Sequence, residues 1–418
     1  MAYENRIGRD PLALDRRRSW RLGAKNALIL RRSMRMRLLQ TLTASIANQD
    51  AMRLFLCDDC GELVYFENNS CLACKQRLAF DPTTLSMATI VPTDESAKKW
   101  KSVDSSRTDL FRRCQNDVQH NVCNWLIPAD SDQTICFACQ FTTVIPNLYE
   151  AANLAHWSKI ETAKRRLLYT LMSLGLPTIP KTTDKETGLS FRFLADDPKS
   201  DKKVLTGHAE GLITLNIAEA DDAERESRRV AMGEPYRTLL GHFRHESGHY
   251  YWDRLVRDTP HLEAFRQLFG DETEDYGEAL KKHYSVGPPD NWQESYISSY
   301  AASHAWEDWA ETWAHYLHVV DALEMASSCE ISLPSLHNRG ERLRVEFSPE
   351  SAKDVSIDDM MKWWLSLAHV LNSANRCLGQ ADSYPFVLSP DVIEKLKLIH
   401  QLVTQSRSAE SPETSPAI

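Results

Sequence analysis

The chain has 418 residues, of which 42% are apolar and 26% charged, and its formal net charge is −9. This length exceeds what one hydrophobic core usually supports, so we expect two or three domains. No uninterrupted apolar run approaches the roughly 18 residues of a membrane span, and the acidic balance argues against a general nucleic-acid binder. The composition is that of a globular protein, and we expect no membrane partner.

Residues 1–50 differ from the rest of the chain because they hold eleven Lys or Arg residues against four Asp or Glu residues. They contain no apolar segment of the secretory type, and acidic residues are unusual in a targeting segment. Two interpretations remain: a basic arm for nucleic acid or another acidic surface, and a poorly ordered extension. We favour the extension.

Residues 51–81 contain two Cys-x-x-Cys pairs with ten residues between them: Cys57, Cys60, Cys71 and Cys74. Each pair suits a tight knuckle, and Gly61 permits the turn after the first. Four thiolates at this spacing are typical of a closed structural zinc site, whereas two disulfides are the disfavoured alternative. The sequence therefore predicts a zinc ribbon over 51–81.

Residues 82–145 are interpreted as a polar linker, up to about residue 110, followed by a second four-cysteine zinc module. Its candidate ligands are Cys114, Cys123, Cys136 and Cys139. Only the last two form a Cys-x-x-Cys pair, so His120 is an alternative to Cys114 or Cys123. Reduced, metal-binding cysteines indicate a cytoplasmic protein. Small modules of this kind also bind protein partners.

Two cysteines remain outside these sets, Cys329 and Cys377, and we expect them to be buried thiols. Residues 146–404 are predicted to form the main domain, and residues 405–418 a disordered tail. The pattern predicts helices over 150–176, 235–255, 261–269, 276–284, 357–374 and 391–403, and strands over 189–194 and 211–217.

The helix over 235–255 contains His245-Glu246-Ser247-Gly248-His249. Residues four apart lie on one face of a helix, so the two imidazoles can occupy two corners of a tetrahedral zinc site. Glu246 is then suited to act as the general base toward a zinc-activated water.

The third ligand is sought downstream, because Trp252 and Leu255 exclude the extended His-x-x-Gly-x-x-His pattern. Residues 304–318 are aromatic-rich and carry Glu307 and Glu311 one helical turn apart. We assign Glu307 as the ligand, with Glu311 supporting a histidine, because an unpaired buried carboxylate is costly. The reverse assignment stays open.

These motifs resemble the Glu-liganded zincin peptidases. Together with the ribbon and the second cysteine cluster, residues 54–400 resemble a bacterial family of zinc-binding metallopeptidases. The resemblance implies His245, His249 and Glu307 as zinc ligands, Glu246 as the catalytic base, and Tyr300 as an oxyanion-stabilising residue, with Tyr296 as the alternative. It also implies that strand 211–217 is the sheet edge that pairs with substrate; His208 nearby is read as an ordinary loop residue.

We therefore predict an α+β fold, in which a mainly helical zincin-like metallopeptidase core is preceded by small zinc-ribbon modules. The predicted cofactors are one catalytic and two structural zinc ions, and the predicted partner is a peptide or protein substrate. The competing hypotheses are a non-catalytic zinc-binding adaptor and a nucleic-acid-associated regulatory protein that uses the ribbons.

Overall fold

The N-terminal part of the described chain holds both cysteine clusters. The computed structural model of the protein describes residues 54–196, 204–232, 238–336, 338 and 340–409. The basic extension at 1–50 and the predicted tail from residue 410 onward lie outside these residues. Residues 405–409, predicted as part of the tail, belong instead to the last helix.

The zinc-ribbon segment is a small hairpin with a knuckle at each cysteine pair. Strand β1 (Phe55–Leu56) pairs antiparallel with β2 (Leu63–Val64). The first knuckle closes through the Gly61 N–H, which donates to the Cys57 carbonyl at 2.8 Å. Gly61 has a φ of +70°, which is the left-handed region where glycine is favoured.

A five-stranded antiparallel sheet follows, where the sequence predicted a linker. Its strands are consecutive in order: β3 (Arg77–Asp81), β4 (Ser86–Pro92), β5 (Trp100–Ser102), β6 (Leu110–Arg113) and β7 (Leu126–Pro128). The segment 82–110 is polar between its strands, but Met87, Ala88, Thr89 and Ile90 are buried. Both faces of β4 are therefore buried. The sequence did not predict this strand because the residues on either side of it are polar.

Two short helices, α1 (Gln115–His120) and α2 (Phe137–Gln140), lie beside the second cysteine cluster. Cys114 and Cys136 are the N-cap residues of these helices, whereas Cys123 lies in the loop after α1 and Cys139 lies in α2. Immediately afterwards the chain enters a second sheet as β8 (Thr142–Val144). The second cluster is thus joined to the second sheet without a linker.

The second sheet has the order β10-β11-β9-β8, with β9 (Ser190–Leu194), β10 (Gly207–Ala209) and β11 (Leu212–Asn216). Strands β8 and β11 are parallel to β9, and β10 is antiparallel to β11. The prediction that 211–217 is the edge strand is wrong, because β10 covers its outer side. The edge strand on this side of the sheet is β10.

Helices dominate the remainder. They are α3 (Asn153–Ser173), α4 (Asp222–Met232), α5 (Leu239–Leu255), α6 (Leu262–Phe269), α7 (Tyr276–Val286), α8 (Ala305–Ser328), α9 (Ile357–Cys377) and α10 (Pro390–Ala409). A hairpin of β12 (Ser332–Pro334) and β13 (Arg342–Arg344) lies between α8 and α9 in the chain. Short 3₁₀ helices cover Ile217–Ala220, Trp292–Glu294, Ala301–Ser303 and Pro349–Asp354. Among the described helices, none is long and apolar enough to cross a membrane.

The prediction for the two remaining cysteines is wrong. Cys329 and Cys377 are both exposed, because each lies at the C-terminal end of a long helix, where the chain leaves the core.

Helices α5 and α8 form the centre of the core. Trp309, Trp313 and Tyr316 of α8 are completely buried, and the Trp309 Nε1–H donates to the Gly248 carbonyl of α5 at 2.9 Å. Helix α3 packs behind them and donates a hydrogen bond from Thr170 Oγ1 to Asp321 of α8 at 2.7 Å. This packing fixes the two helices that carry the predicted metal ligands.

Candidate metal centre and catalytic site

Helix α5 presents the His-Glu-x-x-His residues from its middle turns. It begins at Thr238, whose side chain accepts a hydrogen bond from the Gly241 N–H at 2.9 Å, as an N-cap residue does. The rings of His245 and His249 lie 5.0 Å apart between centroids. Glu246 is 7% exposed and lines a cleft beside them.

Helix α8 supplies Glu307 from its first turn. His304 caps this helix by accepting the Trp306 N–H at 3.1 Å. Glu307 Oε2 lies 3.0 Å from His245 Nε2 and 3.6 Å from His249 Nε2. One ligand atom from each of these three residues lies within 4.8 Å of the others, which brings the predicted ligand set together.

The chemistry of this cluster fits a zinc ion. Glu307 is 1% exposed, and its Oε2 atom faces the Nε2 atoms of both histidines. Burial opposes ionisation of Glu307, but the two neighbouring histidines hold the pKa of its carboxyl well below the usual range. An ionised carboxylate beside two imidazole nitrogens is a common catalytic zinc donor set, with a fourth position for water or substrate.

Glu311 lies one turn further along α8, on the far side of His245. Its Oε1 atom is 2.7 Å from His245 Nδ1, and its Oε2 atom accepts a hydrogen bond from Ser298 Oγ at 2.7 Å. A carboxylate in this position orients the imidazole and fixes its tautomer. Glu311 therefore contacts His245 alone of the two histidines, whereas Glu307 lies near both.

Tyr276 is a residue of this site that the sequence did not indicate. Its hydroxyl donates to Glu307 Oε1 at 2.6 Å. Tyr276 begins α7 and lies 31 residues before Glu307, and no spacing rule connects the two. Only the tertiary packing of α7 near the start of α8 brings them together.

Tyr300 lines the same cleft as His245 and Glu246. Its ring centroid lies 6.0 Å from that of His245, and burial raises the pKa of its hydroxyl, which therefore stays protonated and able to donate. The alternative, Tyr296, instead lies over Lys395, whose Nζ atom is 4.5 Å from its ring centroid and pairs with Asp308.

Burial also raises the pKa of Glu246, although the nearby histidines oppose the shift. A carboxylate with a raised pKa is a stronger base, so the environment of Glu246 suits the acceptance and return of a proton. The cleft that it faces has a volume of about 720 Å³.

His208 is closer to the site than a loop residue would be. It lies in edge strand β10, with its ring stacked 6.2 Å from that of His249 and its Nε2 atom accepting the Gly211 N–H at 2.9 Å. Burial lowers its pKa to about 3, so the ring is neutral. The interpretation of His208 as an ordinary loop residue is therefore wrong.

The cysteines form two further clusters away from the cleft. Within each predicted set of four, the sulfur atoms lie within 4.8 Å of one another. The second set is completely buried, whereas Cys60 of the first set is exposed. His120, the alternative ligand, lies outside the second set and packs its ring 5.5 Å from that of Trp157. Both sets have the composition of closed zinc sites.

Comparison with known proteins agrees with this arrangement. Residues 153–402 match a family model described as "Putative zinc-binding metallo-peptidase", and residues 54–150 match a zinc-ribbon domain. Proteins of Mycobacterium tuberculosis and Mycobacterium bovis, both named as uncharacterized, are similar to this chain: each is 41% identical over 367 residues, which cover 88% of this chain and 98% of the relative. No solved structure matches it. The chain therefore belongs to the zinc-binding metallo-peptidase family that this model describes.

Proposed function

We propose that the protein is a zinc-dependent peptidase with a zincin-like core, which hydrolyses peptide bonds at the His245, His249 and Glu307 cluster. The observation that carries this proposal is the position of Glu246. Its carboxylate is nearly buried, yet it lines a cleft of about 720 Å³ together with the candidate ligand His245. Burying a carboxylate is costly, so its position beside the cleft favours a catalytic role.

The reaction uses groups that this chain holds in place. A bound zinc ion supplies Lewis-acid activation of water and of the scissile carbonyl. Glu246 accepts a proton from the attacking water and then returns it to the leaving amine. Tyr300 donates a hydrogen bond from its protonated hydroxyl to the oxygen that becomes negative in the tetrahedral state.

The substrate backbone would pair with β10. This strand is the edge of its sheet, and its three residues precede a turn that leads into β11. An extended peptide can add to such an edge by main-chain hydrogen bonds. Stacking of His208 of β10 on His249 would then place the peptide close to the metal ligands.

The test is digestion of a peptide library by the parent protein, by the Glu246→Gln variant and by chelator-treated protein. We expect cleavage by the parent alone, with parent-like zinc content in Glu246→Gln, because the substitution removes the base and spares the ligands. Cleavage by a zinc-loaded Glu246→Gln protein would contradict the assignment of the base.

A zinc count tests the ligand sets separately from activity. We propose three zinc ions per chain, one catalytic and two at the cysteine clusters. The double variant His245→Ala/His249→Ala should contain two, and its cysteine clusters should be unaffected. A parent protein that binds only two zinc ions would remove either the catalytic site or one cysteine site from the proposal.

A further inference from the structure

The cleft extends well beyond the metal cluster. Along α8 it is lined in succession by Glu311, Ala314, His315 and His318. Glu311 contacts His245, and seven residues of α-helix rise about 10 Å, so the cleft runs roughly that distance from the ligands. The far part is formed by His315, His318, Tyr384 and Phe386, which we name the aromatic end.

Contacts among these four residues hold their side chains in fixed positions at the aromatic end. The ring centroids of His315 and Phe386 lie 4.4 Å apart, and those of Tyr384 and Phe386 lie 5.1 Å apart. His315 Nδ1 is also 2.8 Å from the Tyr384 hydroxyl, which fixes both rings. Tyr384 and Phe386 come from the loop between α9 and α10, which thereby closes this side of the cleft.

The accessibility of the lining changes along the cleft. Leu205 and Tyr284 are 80% and 65% exposed, so they mark an open side, whereas Tyr384 is only 5% exposed. A group that enters from the open side and reaches the aromatic end would therefore leave water. Desolvation of this kind rewards apolar groups and penalises charged ones.

The charge beside the aromatic end is already paired. Arg244 lines the cleft and pairs with Asp321, and its Nη1 atom is 3.4 Å from His318 Nδ1. An ionic side chain that reached the aromatic end would lose its water, whereas the Arg244 charge beside it is already neutralised by Asp321. Burial lowers the pKa of His315 to about 4 and that of His318 well below its usual range, so both rings are neutral at pH 7.

We propose that the aromatic end is a specificity site for a large uncharged side chain of the substrate, with aromatic residues preferred. This inference rests on the proposed peptidase function and adds the substrate class. The neutral rings offer edge-to-face and stacked contacts to an incoming ring, which contribute beyond the burial of apolar area. Ala314, midway between Glu311 and His318, leaves the space through which the side chain reaches them.

The test measures binding and cleavage of a peptide series with one variable position, occupied by Phe, Leu, Ala, Lys or Glu in a Gly/Ser background. Binding is measured on zinc-loaded Glu246→Gln protein, and cleavage on the parent. We expect the Phe peptide to bind about tenfold more tightly than the Ala, Lys or Glu peptides. Cleavage should occur beside the variable position.

Two variants locate the preference. Phe386→Ala removes a ring of the aromatic end, and Ala314→Phe fills the approach to it; each should reduce the Phe-to-Ala ratio to about threefold or less. The matched control is Val387→Ala, because Val387 is adjacent in the chain but 70% exposed and outside the cleft lining. It should keep the parent ratio. Zinc content and thermal unfolding establish that each variant is folded.

The outcomes separate this inference from the peptidase proposal. Selective binding of the Phe peptide without cleavage by the parent would contradict the peptidase proposal and support the aromatic site. Cleavage without preference for Phe or Leu would support the peptidase proposal and contradict the aromatic site. The inference is also overturned if Lys or Glu peptides bind best, if no peptide binds selectively, or if both cleft variants keep the parent ratio.

Discussion

Gly248 of α5 lies so close to Ala310 of α8 that a Cβ atom on Gly248 would be 2.9 Å from the Ala310 Cα atom. Gly248 precedes the candidate ligand His249, and Ala310 lies three residues after the candidate ligand Glu307. The separation between the two helices therefore sets the distance between the histidines and the carboxylate. Glycine is needed at this position because α5 and α8 approach each other closely there, and not because the backbone has an unusual φ angle.

The first prediction concerns Gly248→Ala. Because the clash is with backbone rather than with a flexible side chain, the helices must move apart, and we expect a loss of about 1–3 kcal/mol in the free energy of unfolding. Zinc affinity at the His245, His249 and Glu307 cluster should fall as well. Urea unfolding and zinc titration measure the two effects.

The control for that variant is Gly277→Ala in α7. A Cβ atom there would meet only the side chain of Asp275, at 3.5 Å, and alanine is the better helix former. We expect stability equal to or slightly above that of the parent. Parent-like stability and zinc affinity in Gly248→Ala would contradict the role given to this close approach.

The second prediction tests Tyr276. Tyr276→Phe removes the hydrogen bond to Glu307 Oε1 and leaves the ring in place, so the carboxylate should be held less firmly. Loss of such an outer contact typically lowers metal affinity about tenfold. Competition with a zinc chelator measures the change, and Tyr149→Phe, at a fully exposed tyrosine, is the control. Equal affinities in the two variants would argue against a supporting role for Tyr276.

The third prediction distinguishes the two cysteine clusters. Cys136 belongs to the fully buried set and Cys60 to the partly exposed one. Each Cys→Ser variant should lose one zinc ion, but Cys136→Ser should lower the unfolding temperature far more, because all four thiols of its cluster are buried beside α3, whereas Cys60 is exposed. Zinc content and thermal unfolding followed by circular dichroism are the measurements. Similar unfolding temperatures for the two variants would contradict the difference.

The fourth prediction is a pH dependence of stability. Burial lowers the pKa of His315 to about 4, while an unfolded chain has a histidine pKa near 6.5. The unfolded state therefore binds more protons between these values, and stability falls as the pH falls from about 6.5 to 4. The shift corresponds to about 3 kcal/mol at most.

His315→Gln should remove that part of the dependence. We expect the stability of parent and variant, measured by urea unfolding at pH 7.5 and pH 4.5, to change by different amounts, with the smaller loss in the variant. An equal loss in both proteins would assign the acid sensitivity to other groups.

Local sequence patterns predicted the positions of helices and motifs in this chain, but they predicted less well which elements pack against one another. The spacing of His245 and His249 predicted a helical ligand pair, and the predicted helices from residue 150 onward occur with ends shifted by a few residues. The family resemblance is confirmed by the family-model matches. These features depend on periodicity and motif spacing, which a single sequence contains.

Features that depend on tertiary packing were missed. Strand β10 is only three residues long and its sequence is typical of a loop, so the sequence predicted β11 as the edge strand. Tyr276 and His208 reach the metal cluster from elements with no fixed spacing to the motif. Likewise, β4 pairs with β3, which precedes the segment 82–110, so its burial cannot be read from that segment alone.

The strand β8 has a consequence for how the chain can be divided. It follows Cys139 within three residues and hydrogen-bonds to β9 at the edge of the second sheet. A shortened chain starting at residue 153, where the peptidase match begins, would leave that side of β9 bare, and an unpaired strand edge invites self-association. The boundary between the two family matches, at about residue 150, is therefore not a boundary between two independently folding parts of the chain.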